Sequence, residues 1–331
     1  MADEDGDVAY GNTHRAFLQA LLSRQAITFK EAKPVIAAIE TAATPDRPTL
    51  DEDVSQEDFE NYVVQLNTAI SPFELEIRSS LHQVSKERIY ALVNTTSDAL
   101  TQMATIHTAD EIAFVKRVLD AMFDTYNTQR AEVMAVTSMQ ALKLAKPPND
   151  AGRRESGTQS AAAQSGLTMS QAERTLSNLV EEGWFELSQR GYYSLSPRAL
   201  MELRGWLLDT YNDQLAEDSD EEEEPHEKIK FCQACKEIVT MGQRCPNEVC
   251  LARLHDYCTR NMWRAQSGRE ECPTCKTGWV EAPPVGEKAG RAAGGGGGRS
   301  SNVSKGNRRR TSEMGMDGAD DSSEASGGAE D

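Results

Sequence analysis

Eight side chains that can bind zinc lie within one short stretch of the sequence. All seven cysteines of the 331-residue chain fall between Cys232 and Cys275, and His255 stands among them. In order, the candidate ligands are Cys232, Cys235, Cys245, Cys250, His255, Cys258, Cys272 and Cys275. Because a structural zinc site takes four cysteine or histidine ligands, these residues predict two zinc ions per chain.

The spacing of the ligands restricts how they can be shared between two ions. Three of the ligand pairs are separated by two residues, which lets each pair wrap one ion in a tight turn. The spacing alone allows two sequential sites, but we favour a crossed arrangement, because it ties together a domain of roughly 45 residues that core burial alone could not hold. One ion would then bind Cys232, Cys235, His255 and Cys258, and the other Cys245, Cys250, Cys272 and Cys275.

Both predicted sites are closed by four protein ligands, so the zinc is expected to be structural rather than hydrolytic. The order of four cysteines, one histidine and three cysteines is shared by PHD fingers, which read histone tails, and by variant RING fingers, which dock ubiquitin-conjugating enzymes. Pro273 directly after the seventh ligand, and a short helix predicted from Thr259 to Ala265 that carries Trp263, favour the RING finger. Glu270 also stands where PHD fingers usually have an aromatic residue.

The chain ahead of the zinc ligands shows one order of elements twice. In the first region, three amphipathic helices, the last ended by Pro72, precede strands predicted at 73–78 and 89–93. Three helices followed by a hairpin are typical of a winged helix, so residues 14–107 are predicted as winged helix A.

The same order recurs at 108–215, which is predicted as winged helix B. Thr108 and Glu111 are spaced for a capping box at its first helix, and Ser170 and Glu173 for a second box at the helix before the hairpin. The apolar stripes of both regions are expected to be core, and no catalytic constellation is recognised in them.

Several stretches are too polar or too rich in small residues to fold alone. We predict disorder at 1–13 and 282–331, a flexible loop at 146–166 and an extended acidic linker at 216–230. Because this linker should decouple the zinc domain at 231–281, we expect the two winged helices to fold without it.

Composition limits the partners of the chain. Its net charge is −18, with an excess of acids on both sides of residue 215, so DNA is expected to be bound only weakly or through an assembled complex. No stretch approaches the roughly 20 apolar residues of a membrane helix, and the acidic N-terminus is unlike a signal peptide. The absence of cysteines before Cys232 favours a reducing compartment.

Several motifs resemble one known family. GQRC at Gly242–Cys245, LHDYC at Leu254–Cys258 and CPTC at Cys272–Cys275 follow two predicted winged helices, as in the non-SMC element one family. LEIRSS, ERIYALVNTTSD and ADEIAFVKRVLDAMF also resemble stretches of that family, so the similarity covers roughly residues 10–281. The family is the variant-RING subunit of the Smc five-six chromosome-maintenance complex.

The resemblance implies a nuclear protein that acts in DNA repair and recombination. It implies a ubiquitin ligase, or a ligase-like scaffold, that pairs through its winged helices with a MAGE-like subunit and contacts a kleisin subunit. By analogy with RING ligases, Trp263, Pro273 and Lys276 would dock the ubiquitin-conjugating enzyme. Gln233 departs from the apolar residue usual after the first ligand.

The predicted fold class is therefore α+β and multidomain: two tandem winged helices, a small cross-braced domain with two zinc ions, and a disordered tail. Two functions stay open at this point. One is a RING-type ubiquitin transferase that is weak without its partner. The other is a non-catalytic zinc scaffold, or a PHD-like histone reader, that stabilises the complex.

Overall fold

The computed structural model describes residues 10–95, 106–147, 166–212 and 227–294. Its first region contains three helices and a three-stranded antiparallel sheet in the order β1-β3-β2. The elements are α1 (Asn12–Arg24), β1 (Ala26–Thr28), α2 (Phe29–Ala43), α3 (Gln56–Ile70), β2 (Leu75–Leu81) and β3 (Arg88–Asn94).

Local sequence explains most of this first region. Thr28 and Glu31 form the capping box that starts α2, and a short 3-10 turn at Ser71–Phe73 follows α3 where Pro72 was expected to end it. The apolar faces of the helices bury Phe17 and Phe59 with their rings edge to face. The three-residue strand β1 was not predicted, because it is too short to show a period.

The second region repeats the pattern, with a sheet in the order β4-β6-β5. Its elements are α4 (Ala109–Asp120), which continues into a π-helical turn at Ala121–Thr125, β4 (Val136–Thr137), α5 (Ser138–Lys143), α6 (Met169–Glu181), β5 (Phe185–Leu187), β6 (Tyr192–Leu195), α7 (Pro197–Glu202) and α8 (Arg204–Tyr211). Helices followed by a hairpin therefore occur in both regions. The assignment of each region as a winged helix stays a prediction.

The expected cap of α6 was wrong by two residues. Thr168, not Ser170, is the N-cap: its hydroxyl accepts from the Gln171 backbone N–H at 3.3 Å, and the Gln171 side-chain Oε1 accepts from the Thr168 N–H at 2.9 Å. Both residue pairs have the spacing of a capping box, and the earlier pair adds a half turn to the helix. Ser170 and Glu173 consequently lie inside α6.

The zinc domain contains a small sheet in the order β8-β7-β9 and one helix between the ligands. Its elements are β7 (Gly242–Arg244), β8 (Arg253–Leu254), α9 (Asp256–Ala265), β9 (Pro284–Val285) and α10 (Glu287–Gly294). The expectation of disorder from residue 282 was wrong as far as Gly294, because β9 pairs with β7 and buries Val285. In α10, the backbone of Gly290 packs against Val133 of the second region. A Cβ atom at position 290 would lie only 2.9 Å from Val133 Cγ1.

The end of the predicted acidic linker is also ordered. Ile229 and Lys230 are buried, and the Asn212 side chain after α8 accepts from the backbone N–H groups of Lys228 and Ile229 at 3.1 and 2.9 Å. Buried apolar residues of the second region and of the zinc domain form one continuous core. The expectation that the linker decouples these two parts was therefore wrong: residues 227–230 pack on the second region, and the zinc domain shares its core.

Some predicted segments lie outside the described residues. These are residues 1–9 of the N-terminus, 148–165 of the predicted loop, 216–226 of the acidic linker and 295–331 of the tail. Among the helices that are described, none is long and apolar enough to cross a membrane.

A buried group of three charges joins the second region to the zinc domain. The Glu132 carboxylate accepts from Lys230 Nζ at 2.8 Å and from Arg253 Nε at 2.7 Å, and all three side chains are at most 2% exposed. Burial alone would raise the pKa of Glu132, but the hydrogen bonds and positive charges of Arg253 and Lys230 hold that pKa below its ordinary value. Glu132 is therefore ionised, and its carboxylate is hydrogen-bonded to both cations.

We expect Glu132→Gln to lower the free energy of unfolding of the full chain by about 3–5 kcal/mol, because it leaves two buried cations without their anion. Urea denaturation measures the loss. The matched control is Glu76→Gln, which breaks the 2.8 Å ion pair with Arg78 on an exposed face. That change should cost less than about 1 kcal/mol, and similar small losses for both variants would contradict the role given to the buried charges.

Candidate metal centre

Short elements of the zinc domain bring the eight predicted ligands into two groups. The first contains Cys232, Cys235, His255 and Cys258, and the second contains Cys245, Cys250, Cys272 and Cys275. Within each group the ligand atoms all lie within 4.8 Å of one another. The structure thus places the ligands in the crossed arrangement rather than the sequential one.

In the first site, one pair of ligands comes from a loop and the other from a helix. His255 is the N-cap residue of α9, and Cys258 follows in the first turn of that helix, so the two side chains share a face. The His255 Nδ1 atom lies 3.3 Å from Cys235 Sγ and 3.9 Å from Cys258 Sγ. A tetrahedral zinc ion would separate such nitrogen and sulfur ligands by about 3.6 Å. The donor set fits zinc.

The orientation of the His255 ring is fixed from its other side. Its Nε2 atom lies 3.2 Å from the Ile238 carbonyl oxygen, and because a carbonyl can only accept, Nε2 carries the proton. Nδ1 then has a free lone pair directed at the three thiols. The Tyr257 ring stacks on the imidazole, with 4.9 Å between the ring centroids. These contacts hold the histidine in the state that binds a metal.

The second site has four sulfur ligands. Cys245 Sγ lies 3.5 Å from Cys275 Sγ, and Cys250 Sγ lies 3.7 Å from Cys272 Sγ. Tetrahedral zinc with Zn–S bonds of about 2.3 Å separates its sulfur atoms by about 3.8 Å, so these distances also fit. Cys275 Sγ and the Thr277 hydroxyl oxygen are hydrogen-bonded at 3.2 Å, and this contact lowers the pKa of the thiol to about 6, which favours the thiolate that zinc requires.

Two knuckles of the same shape supply half of the ligands. In each knuckle, the residue after the second cysteine donates its backbone N–H to the carbonyl of the first, from Lys236 to Cys232 and from Lys276 to Cys272, at 3.0 Å in both. Lys236 and Lys276 both adopt the left-handed conformation, with φ of 63° and 62°. The tight turn imposes this conformation, because the chain must reverse around the metal.

Arg253 connects the two sites. Its backbone forms an isolated bridge with Cys232 of the first site, and its Nη1 donates to the carbonyl of Cys250, a ligand of the second site, at 2.7 Å. The same guanidinium is bound by Glu132 of the second region. Two clusters of four ligands in one cross-braced domain thus fit two structural zinc ions.

The residues predicted to dock a conjugating enzyme are not part of either metal cluster. Trp263 is half-buried on α9 and packs edge to face on Trp279, with 5.7 Å between centroids. Lys276 is exposed, and its Nζ donates to the Pro273 carbonyl at 3.0 Å within the second knuckle. The docking role of these three side chains stays a prediction.

The buried partners of the zinc domain were missed by sequence reasoning. Lys230 and Arg253 stand two residues from the ligands Cys232 and His255, so a cation buried near a metal site could have been suspected. Glu132 lies in a polar stretch of the second region, and no local pattern marks it.

Metal analysis of the full chain should find two zinc ions. Cys258→Ala should release the ion of the first site, because it removes one of the four ligands of that site and structural zinc contributes roughly 10–16 kcal/mol in zinc-finger peptides. Asn261→Ala, on the exposed face of the same helix, should keep both ions. A Cys258→Ala variant that keeps both ions would contradict the assignment of Cys258 as a zinc ligand.

Comparison with known proteins supplies the family. The family described as Nse1 non-SMC component of SMC5-6 complex matches residues 14–203, and a RING-like domain matches residues 232–275.

Curated relatives cover most of the chain. The human protein named non-structural maintenance of chromosomes element 1 homolog is 21% identical over 273 residues, which span 82% of this chain and 86% of that protein. The Schizosaccharomyces pombe protein named non-structural maintenance of chromosomes element 1 is 23% identical over 69% of this chain and 79% of its own length.

A solved structure shares the fold. A chain of a structure titled Nse1-Nse3-Nse4 complex aligns with a TM-score of 0.60 at 21% identity, over 82% of this chain and 98% of that chain. The family match covers more than half of the sequence and is followed by the RING-like domain that holds the two zinc clusters. The chain therefore belongs to the family of Nse1 non-SMC components of the SMC5-6 complex.

Proposed function

We propose that the chain is a RING-type ubiquitin ligase subunit of an SMC5-6 complex. The observation that carries the proposal is the cross-braced RING-like domain, in which α9 packs beside the second knuckle through Trp263 and Trp279. A RING ligase needs no nucleophile of its own, because it gains rate by orienting a ubiquitin-loaded conjugating enzyme. Zinc would hold the shape of the domain and take no direct part in transfer.

The docking surface consists of Trp263, Pro273 and Lys276. The first two offer apolar contacts at the edge of α9 and on the second knuckle, and Lys276 offers an exposed cation. Gln233 occupies the position where RING ligases usually present an apolar side chain. We therefore propose that transfer by the chain alone is weak.

The partners are a MAGE-like subunit and a kleisin subunit. Support comes from the likeness to a chain of the Nse1-Nse3-Nse4 complex. We propose that each of the first two regions is a winged helix and that these regions bind the MAGE-like subunit, since the net charge of −18 disfavours direct DNA binding. DNA would be contacted through the assembled complex. The site of action is the nucleus, in DNA repair and recombination.

A second candidate function is that of a non-catalytic zinc scaffold. It is favoured by one observation, which is that the zinc domain shares a continuous core and a buried group of charges with the second region. A domain built into the body of the chain in this way could serve to stabilise an assembly. The ligase requires the docking surface to bind a conjugating enzyme, whereas the scaffold does not.

We expect a MAGE-like subunit to raise ubiquitin transfer by the full chain about tenfold or more, which needs only about 1.4 kcal/mol of added transition-state stabilisation. Autoubiquitylation is measured with and without that subunit. Trp263→Ala and Lys276→Ala should each reduce transfer in the complex while leaving two bound zinc ions.

The matched control is Lys236→Ala, because Lys236 holds the corresponding place after the first knuckle with the same left-handed backbone. It should leave transfer unchanged, since it lies outside the proposed docking surface. Robust transfer by Trp263→Ala and Lys276→Ala, as well as by the control, would contradict the assignment of the docking surface. No transfer by the wild-type complex, with both zinc ions bound, would favour the scaffold.

A further inference from the structure

The turn between β2 and β3 of the first region lies between the second region and the zinc domain. His82, at the start of the turn, places its Nε2 atom 3.1 Å from the Glu186 carboxylate of the second region. The side chain of the next residue, Gln83, contacts the zinc domain. Two adjacent side chains of the first region thus contact two different parts of the molecule.

The Gln83 side-chain amide uses both of its ends on one loop of the zinc domain. Its Oε1 atom accepts from the backbone N–H groups of Thr240 and Met241, at 3.1 and 2.8 Å. Its Nε2 atom donates to the Ile238 carbonyl at 3.0 Å. The described hydrogen bonds from the first region to the zinc domain all end on this loop, residues 238–241.

The Ile238 carbonyl is also the acceptor that fixes the zinc ligand His255. His255 Nε2 lies 3.2 Å from the oxygen that Gln83 Nε2 reaches at 3.0 Å. One carbonyl oxygen with two lone pairs accepts from both side chains. The position of the imidazole, and so of its metal-binding Nδ1 atom, therefore depends on the oxygen that Gln83 holds.

The Gln83 amide is the partner of two backbone N–H groups beside the pocket that Gln83, Ile238 and His255 line. Loss of the amide would leave the N–H groups of Thr240 and Met241 unpaired, and Thr240 is 3% exposed. Buried donors without partners destabilise the local structure.

We propose that Gln83 is a positioning residue for the first zinc site. The first region, through this one amide, holds the loop 238–241 and with it the ring of His255. The second zinc site receives its outer contacts from elsewhere, from Thr277 and Arg253. Disturbing Gln83 should consequently loosen the first site and leave the second site in place. This inference concerns metal retention and stands whether or not the chain transfers ubiquitin.

The test uses the zinc-loaded full chain and two variants. Gln83→Met keeps the length of the side chain and removes all three hydrogen bonds. Gln83→Glu keeps an acceptor for Thr240 and Met241 but turns a second carboxylate oxygen toward the Ile238 carbonyl, where the two oxygens repel. Gln19→Met, on the exposed side of α1, is the matched control.

Zinc release to excess chelator is followed while the freed thiols are alkylated and identified by mass spectrometry. In both Gln83 variants, Cys232, Cys235 and Cys258 should become alkylated about tenfold faster than in wild type, a factor that the loss of one or two net hydrogen bonds supplies. The four cysteines of the second site should react at the wild-type rate. Hydrogen exchange should also rise in residues 238–241 and not in the second knuckle.

Two results would overturn the proposal. One is wild-type release and exchange in both variants. The other is equal acceleration at both zinc sites, which would mark Gln83 as a contributor to general stability. If Gln83→Met does not fold, as judged by circular dichroism, Gln83→Glu decides between these outcomes. The Gln19→Met control should match wild type in every measurement.

Discussion

The buried carboxylate of Glu132 is the contact on which the junction of the molecule depends. Arg253 lies between the two zinc sites, and Lys230 precedes the first ligand. The position of both cations is therefore set by the segment that binds zinc. Neither could remain ionised in a dry interior without an anion. The second region supplies that anion. If the zinc domain moved away from the second region, Lys230 and Arg253 would either become exposed or stay buried without a negative partner.

Zinc and the buried charges have different structural roles. A domain of this size buries too little apolar surface to fold alone, so the crossed zinc sites fix the path of its loops. The ions do not determine how the finished domain is oriented on the rest of the chain. That orientation comes from Glu132, whose carboxylate binds Arg253 and whose backbone carbonyl accepts from the Gly286 N–H at 2.8 Å, and from the Gln83 amide.

The parts that sequence predicted are those that local chemistry determines. The zinc ligands and the capping box at Thr108 are defined by residue type and short spacing. The parts that it missed depend on distant residues: Glu132 and Arg253 are 121 positions apart, and Gln83 and Ile238 are 155 apart. Residues 227–230 and 282–294 have polar or Gly-rich compositions, and they are ordered only because the second region and β7 provide surfaces for them.

A ligase of the RING type works by orientation, so the rigidity of the proposed docking surface bears on the proposal that transfer by the chain alone is weak. Lys276 could leave the Pro273 carbonyl at little cost, because that hydrogen bond is exposed to water. Gln233 is more constrained, since its backbone N–H donates to the Arg253 carbonyl at 2.9 Å. Reshaping that loop to supply an apolar contact would disturb the residue that joins both zinc sites to Glu132. If the chain transfers ubiquitin, the missing contact is therefore more readily supplied by another subunit than by movement of the zinc domain.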